Sequence, residues 1–354
     1  MISVVVRRVA NHHKRSIISR SAPAFMNSSC PAQRVFPSTS LQSQQFHSPV
    51  SISLQAVRMS STNPANKNFT REHLFDCKGR VALVTGGGSG IGLMITQALV
   101  ANGAKVYIAG RTSEKLERVV ETYSEGPDSI VPIPSDITSK EGIAKLVRAI
   151  EAQEPKGLHI LVNNAGINGA TLETSASSAE EAKKNLFDAE ASTFEDWTSV
   201  YQTNVAQLFF TTTALLPLLQ KATDKTPGWS SAVVNITSIS GLVKSAQHHF
   251  QYNASKAAAN HLTRMLSAEL AAENGFPVRI NAIAPGVFPS EMTAGESGGD
   301  QKSDLVNKYR DKFPAGRPGR DEDMAQAVLG VVCNQYINGE VVVVDGGYTV
   351  AVGR

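Results

Sequence analysis

The chain has no acidic residue before Glu72, yet nine Lys and Arg fall within residues 1–71. Setting those nine aside leaves 25 cations against all 31 acids, so the remainder is net acidic although the whole chain is formally +3. That excludes a basic nucleic-acid surface on the folded part. Cysteine is scarce. Cys30, Cys77 and Cys333 show neither a disulfide framework nor the spacing of a metal site, which implies a reducing compartment and no metal ligands. No apolar run reaches the roughly 18 residues that a membrane-spanning helix needs.

What stands in the acid-free stretch is Ser-rich and Arg-bearing. Arg7, Arg8, Arg15 and Arg20 are set among Val and Ile residues. Such an amphipathic start reads as a mitochondrial transit peptide, so residues 1–70 are expected to be a disordered extension directing the protein to the matrix. Met59 offers a second start for a cytosolic form. Residues 71–354 are expected to form one α/β domain, long enough for a sizeable core.

Val81, Ala82, Leu83 and Val84 form the short apolar run of a buried parallel strand. A glycine-rich turn follows at residues 85–92, and Ile91, Ile95, Ala98 and Leu99 then recur at helical spacing. Glycines in such a turn let the backbone approach a pyrophosphate, and the helix N-terminus faces the phosphates. Further along, Tyr252 and Lys256 lie four residues apart, hence on one face of a helix, with Ser238 fourteen residues upstream. An ammonium beside a phenol favours phenolate and lowers a Tyr pKa from about 10. Tyr252 is therefore a candidate general acid/base for a carbonyl or alcohol.

From about Lys78 to Gly347 the chain resembles the short-chain dehydrogenase/reductase family. The motifs run in order: Thr85, Gly86, Ser89, Gly90, Ile91 and Gly92 in the turn, Asp136 and Ile137 after the third strand, and Asn163, Ala165 and Gly166 after the fourth. Asn204 follows in Thr203-Asn204-Val205, then Ser238, Tyr252 and Lys256, then Pro285, Gly286 and Val287, with Ser290 where the family usually has Thr. The resemblance implies a single Rossmann-like, doubly wound, seven-stranded parallel sheet with helices on both faces. It also implies catalysis by Asn204, Ser238, Tyr252 and Lys256. Tyr252 protonates the carbonyl oxygen, Lys256 lowers the Tyr pKa and holds the nicotinamide ribose, Ser238 binds the substrate oxygen, and Asn204 fixes a water. Asp136 is expected to touch the adenine ring and Ser290 the nicotinamide carboxamide. The remaining motif residues, with Tyr252 and Lys256, are expected to line the cofactor site.

Cofactor choice is read at the end of the second strand, where Gly110-Arg111 carries no carboxylate. A guanidinium there grips the 2′-phosphate of NADP(H) bidentately, whereas an acid would favour NAD. Ser89 stands where some NADP enzymes add a second basic residue. Within the family, residues 287–293 and 316–320 are most similar to the 3-oxoacyl-carrier-protein reductases, particularly the rhamnolipid-synthesis variant. The expected substrate is a small-molecule carbonyl or alcohol, either a 3-oxoacyl thioester on a carrier-protein- or CoA-bound acyl chain or a similar ketone. Other readings are an NAD(P)-linked dehydrogenase of a secondary-metabolite, sugar or steroid alcohol, and a non-catalytic NADP-binding scaffold. Leu208, Phe209, Ala257, Ala258 and Leu262 suggest outward apolar helix faces, and with the resemblance a homotetramer or dimer. Residues 171–195 are longer than usual for the family and are expected to hold a solvated helix or loop.

Overall fold

A computed structural model describes residues 63–305 and 313–353 of the chain. Most of the expected N-terminal extension lies outside the described residues. Its last part does not: Pro64–Phe69 forms an exposed 3-10 turn, with the Asn63 side chain accepting from Ala65 N.

Seven strands build one sheet: β1 (Val81–Thr85), β2 (Lys105–Gly110), β3 (Ile130–Pro134), β4 (Ile160–Asn163), β5 (Ser231–Ile236), β6 (Val278–Pro285) and β7 (Val341–Val344). All pairings are parallel, in the order β3-β2-β1-β4-β5-β6-β7. The main helices are α1 (Gly90–Ala101), α2 (Ser113–Tyr123), α3 (Lys140–Gln153), α4 (Ala179–Leu186), α5 (Phe194–Tyr201), α6 (Gln207–Lys225), α7 (Phe250–Leu266) and α8 (Asp321–Cys333). This is the doubly wound α/β architecture read from the sequence.

Period-two alternation divides the strand side chains between two cores. Ala82, Val84, Val106, Ile108, Ile160 and Val162 pack with Ile95 and Leu99 of α1 and Met324 and Val328 of α8. Leu83, Tyr107 and Leu161 turn the other way, onto Leu146 and Ile150 of α3 and Leu215 and Leu219 of α6. Covering both faces explains why β1 reads as an uninterrupted apolar run: all five of its residues are buried.

One sequence reading changes and another is narrowed. Leu208 is buried within its own subunit and Leu262 packs against the second core, whereas Phe209, Phe210, Phe250 and Met265 are the large exposed groups of α6 and α7. Ser178, accepting from Glu181 N at 3.1 Å, caps α4, so the charged stretch of the 171–195 segment is a helix with no buried residue.

Candidate active site

The order of strands reverses between β1 and β4, and a crevice opens beyond their carboxyl ends. Gly86 has φ +66°, a conformation that side chains rarely adopt, and a Cβ on Gly92 would collide with the Gly86 carbonyl oxygen. These two glycines let α1 start directly on β1 with its N-terminus over the crevice. The cleft has a volume of about 530 Å³. Gly86 and Ser89 from the glycine turn, Arg111 from the end of β2, Asp136 and Ile137 after β3, and Ala165 and Gly166 after β4 line it.

The floor is a polar lattice. The Thr85 hydroxyl accepts from Asn164 N at 3.0 Å and Ala165 N at 3.2 Å. The Asn164 amide in turn donates to the carbonyls of Thr85 and Gly86, at 3.0 and 3.1 Å. Asn164 is a positioning residue that motif reading passed over, although it sits inside the motif. Its neighbour Asn163 turns away from the cleft and donates to Asn235 at 2.9 Å and Thr212 at 3.1 Å, fully buried. Asp136 accepts from the Thr138 hydroxyl and amide, which holds its carboxyl below the usual range, with the Arg111 charge adding to the effect. On the far wall Gly286 N bonds to Val344 O, and Val287 O accepts from Gly319 N. Ser290 lies against Gly90, where an added Cβ would meet its own at 2.8 Å. Ile91 packs against the first core, and Pro285 ends β6, so these two support the site from behind.

Ser238, Tyr252 and Lys256 meet at the carboxyl end of β5. Gly241 makes this possible: a Cβ there would strike the backbone of Lys256 and Ala257, so the loop after β5 presses directly on α7. Ser238 caps the short turn Ile239–Gly241 through Ser240 N and hydrogen-bonds Tyr252. Lys256 is buried, lies 5.6 Å from the Tyr252 ring centre, and donates to Ile236 O at 3.0 Å. Its ammonium is aimed at that carbonyl, and burial dominates both groups. Burial pushes Tyr252 up to about 12, against a smaller lowering by the Ser238 hydrogen bond, and lowers Lys256 to about 8. The expected depression of the Tyr pKa by Lys256 is therefore reversed here, because desolvation outweighs a charge at that distance. A phenol so placed keeps its proton near neutrality and is set up as an acid.

Asn204 lies in a widened π turn, Gln202–Ala206, between α5 and α6. Its Oδ1 accepts from Ile167 N at 2.9 Å, while Nδ2 donates to Ile167 O at 2.9 Å and Ser255 Oγ at 3.0 Å. A Cβ on Gly166 would lie 3.1 Å from Asn204 Oδ1 and 3.5 Å from Lys256 Nζ, so Gly166 stands between the two. The Asn204 amide acts as a brace on this loop and on α7. Ser255 and Gln251, four residues apart on α7, are buried polar groups on an inward face. Gln251 ties the Ala170 carbonyl at 2.6 Å and Asp196 at 2.8 Å. That polar face is the signal that would have found them.

The family model of the short chain dehydrogenases matches residues 80–300. The short-chain dehydrogenase/reductase PhomF of Diaporthe leptostromiformis is 37% identical over 279 residues, covering 77% of this chain and 92% of its own. The rhamnolipids biosynthesis 3-oxoacyl-[acyl-carrier-protein] reductase of Pseudomonas aeruginosa is 36% identical, covering 77% of this chain and 98% of its own. The solved structure of the Pseudomonas aeruginosa RhlG/NADP active-site complex superposes with a TM-score of 0.62 at 32% identity, over 78% of this chain and 98% of that one. Motifs, sheet order, catalytic corner and relatives agree, and the chain belongs to the short-chain dehydrogenase/reductase family of oxidoreductases acting on CH–OH and C=O groups.

Proposed function

We propose that the protein is an NADPH-dependent reductase that converts a ketone, foremost a 3-oxoacyl thioester, to a secondary alcohol. The observation that carries this reading is the Ser238–Tyr252–Lys256 corner beside a cleft whose β2 end presents Arg111 and no acid. A dinucleotide fits the residues present: the glycine turn leaves room for backbone contact with phosphate, α1 points its N-terminus at it, and Arg111 faces the adenosine end. The nicotinamide supplies the hydride. Tyr252 gives its phenolic proton to the carbonyl oxygen, and Ser238 hydrogen-bonds that oxygen as negative charge develops. Lys256, with three protons and one used on Ile236 O, has donors left for ribose hydroxyls. Asn204 and Ser255 hold Gly166 and α7 in register. The acyl reading draws on similarity to the Pseudomonas aeruginosa reductase. Purified protein should oxidise NADPH with 3-oxoacyl thioesters on CoA or carrier protein. Activity confined to sugar or steroid ketones would move the substrate class, and no turnover across a broad ketone panel would leave a binding scaffold.

Two further features belong to this reading. The acid-free leader supports import into the mitochondrial matrix, with translation from Met59 supplying a cytosolic pool. A reporter fused behind residues 1–58 tests it, and uniform cytosolic fluorescence would refute it. Exposed Phe209, Phe210 and Met265 support a homotetramer or dimer. A monomer mass in light scattering, independent of concentration, would rule that out.

A further inference from the structure

Among the described residues lining the cleft, two are cations, Arg111 and Lys115. Lys115 sits in the first turn of α2 and packs beside the glycine turn. A Cβ on Gly88 would lie 3.5 Å from Lys115 Cβ. Lys115 thus rises at the place where Ser89 brings no charge. Its ammonium reaches Glu291 Oε1 at 2.6 Å, with side-chain exposures of 41% and 36%. Glu291 directly follows Ser290, the residue seated on Gly90, and opens the short helix Glu291–Ala294. Further out, α2 holds the same segment again, where the Tyr123 hydroxyl donates to Asp300 O at 2.6 Å.

Resting on the NADP(H) reading above, we propose that Lys115 is the second cation for the 2′-phosphate of the cofactor, and that Glu291 competes with that phosphate for it. A phosphate monoester carries a charge of about −1.5 to −2 near neutrality. Arg111 supplies one positive charge and shares it with Asp136, whose carboxyl it helps to hold ionised. One guanidinium therefore leaves the phosphate undercompensated, and Lys115 is the other cation in the cleft. Its present partner is a weak hold. A part-exposed ion pair is largely offset by hydration and side-chain entropy, whereas phosphate offers several charge-assisted hydrogen bonds. Glu291 keeps enough exposure to be rehydrated when Lys115 leaves it. The exchange also loosens one of the contacts between α2 and the segment after the Pro-Gly turn, so cofactor charge and the position of that segment become linked.

Calorimetric titration of the full chain with adenosine 2′,5′-bisphosphate and with adenosine 5′-monophosphate tests this without turnover. Lys115→Met should weaken the bisphosphate about fivefold to tenfold and leave the monophosphate within about twofold. Glu291→Gln should act in the opposite sense and tighten the bisphosphate about twofold to threefold, since the competing carboxylate is gone. If Lys115 and Glu291 only strap two elements together, both substitutions will shift both ligands in the same direction, and the proposal is overturned. It is also overturned if Arg111→Met weakens the bisphosphate while Lys115→Met does not, a result that leaves NADP(H) use standing. A wild-type protein that binds both ligands equally would refute NADP(H) use itself.

Discussion

The two edges of the sheet both bury ionisable side chains, and they treat them differently. At the amino ends of the strands Arg279, His159 and Tyr107 are each well partnered, although the buried Arg80 Nε and Trp229 Nε1 there have no hydrogen-bond partner among the described residues. Arg279 donates to the carbonyls of Val331, Val332, Asn334 and Ile337 and to Ser230 Oγ, closing the C-terminus of α8. His159 uses both ring nitrogens, accepting from Val81 N at 3.1 Å and facing Thr226 Oγ1 at 3.1 Å. The Tyr107 hydroxyl donates to Glu154 at 2.6 Å. At the carboxyl ends, Lys256 donates to one carbonyl and Tyr252 has the Ser238 hydroxyl as its partner. Desolvation is present at both edges. For these named groups hydrogen-bond compensation is generous at one and sparse at the other, the contrast expected between groups that hold the fold and groups placed to meet a ligand.

The largest effect that tests this contrast is on turnover. Tyr252→Phe removes the proton donor and little packing, so kcat should fall about a thousandfold, a barrier increase of about 4 kcal/mol. NADPH affinity and urea stability should stay near wild type. A variant that keeps most of its kcat would mean that Tyr252 belongs with the structural groups.

The opposite edge should answer to pH instead. Burial, the largest cause, lowers His159 to about 4, with Arg80 adding to the effect, while an unfolded His titrates near 6.5. Below about 6.5 the unfolded chain binds a proton that the folded one refuses, so stability falls as pH drops from about 6.5 toward 4. The loss by pH 5 is on the order of 2 kcal/mol, and above pH 7 this group contributes no slope. Urea unfolding at pH 7.5 and pH 5 measures it, and His159→Gln should flatten the difference. An unchanged slope in that variant would assign acid sensitivity to other groups.

Arg111 sharpens the contrast from a third position, on the functional edge and within the cleft. Arg111→Ala should weaken NADPH about tenfold to a hundredfold, from a charge-assisted contact of about 1.5–3 kcal/mol, and leave NADH nearly unchanged. Equal losses for both cofactors would return Arg111 to an ordinary surface role.

The sheet was legible because each strand is short, apolar and bounded by turn residues, with helical periodicity between. That Ser238, Tyr252 and Lys256 come together was legible because the motifs that carry them follow one strand end, that of β5. What stayed hidden depends on contacts between distant segments. Nothing local tells which of Asn163 and Asn164 turns toward the glycine turn, since that follows from which side of β4 each residue leaves. The direction of the Tyr252 shift was misread because spacing places Lys256 near the ring but says nothing of how deeply the phenol is buried. Leu208 looked outward by composition, and its burial follows from the packing of α6 against the rest of the subunit. Lys115 carries no local signal, since Glu291 stands 176 residues away.

The smallest expected effect lies between the two kinds of site. Ser255 Oγ donates to Tyr252 O at 2.7 Å and accepts from Asn204 Nδ2 at 3.0 Å, so it joins the brace to the helix that carries the acid. It is fully buried and hydrogen-bonded like the groups of the opposite edge, yet it sits on the same helix as Tyr252 and Lys256. Ser255→Ala deletes two internal hydrogen bonds and leaves Asn204 its two bonds to Ile167, so the cost should be about 1–3 kcal/mol. If that cost falls on the position of Tyr252, kcat should drop severalfold while the KM for NADPH holds. The effect should also be non-additive with Asn204→Ala, because both substitutions cut the same link. An equal loss in urea stability with kcat unchanged, and additivity with Asn204→Ala, would place Ser255 among the groups that only hold the fold.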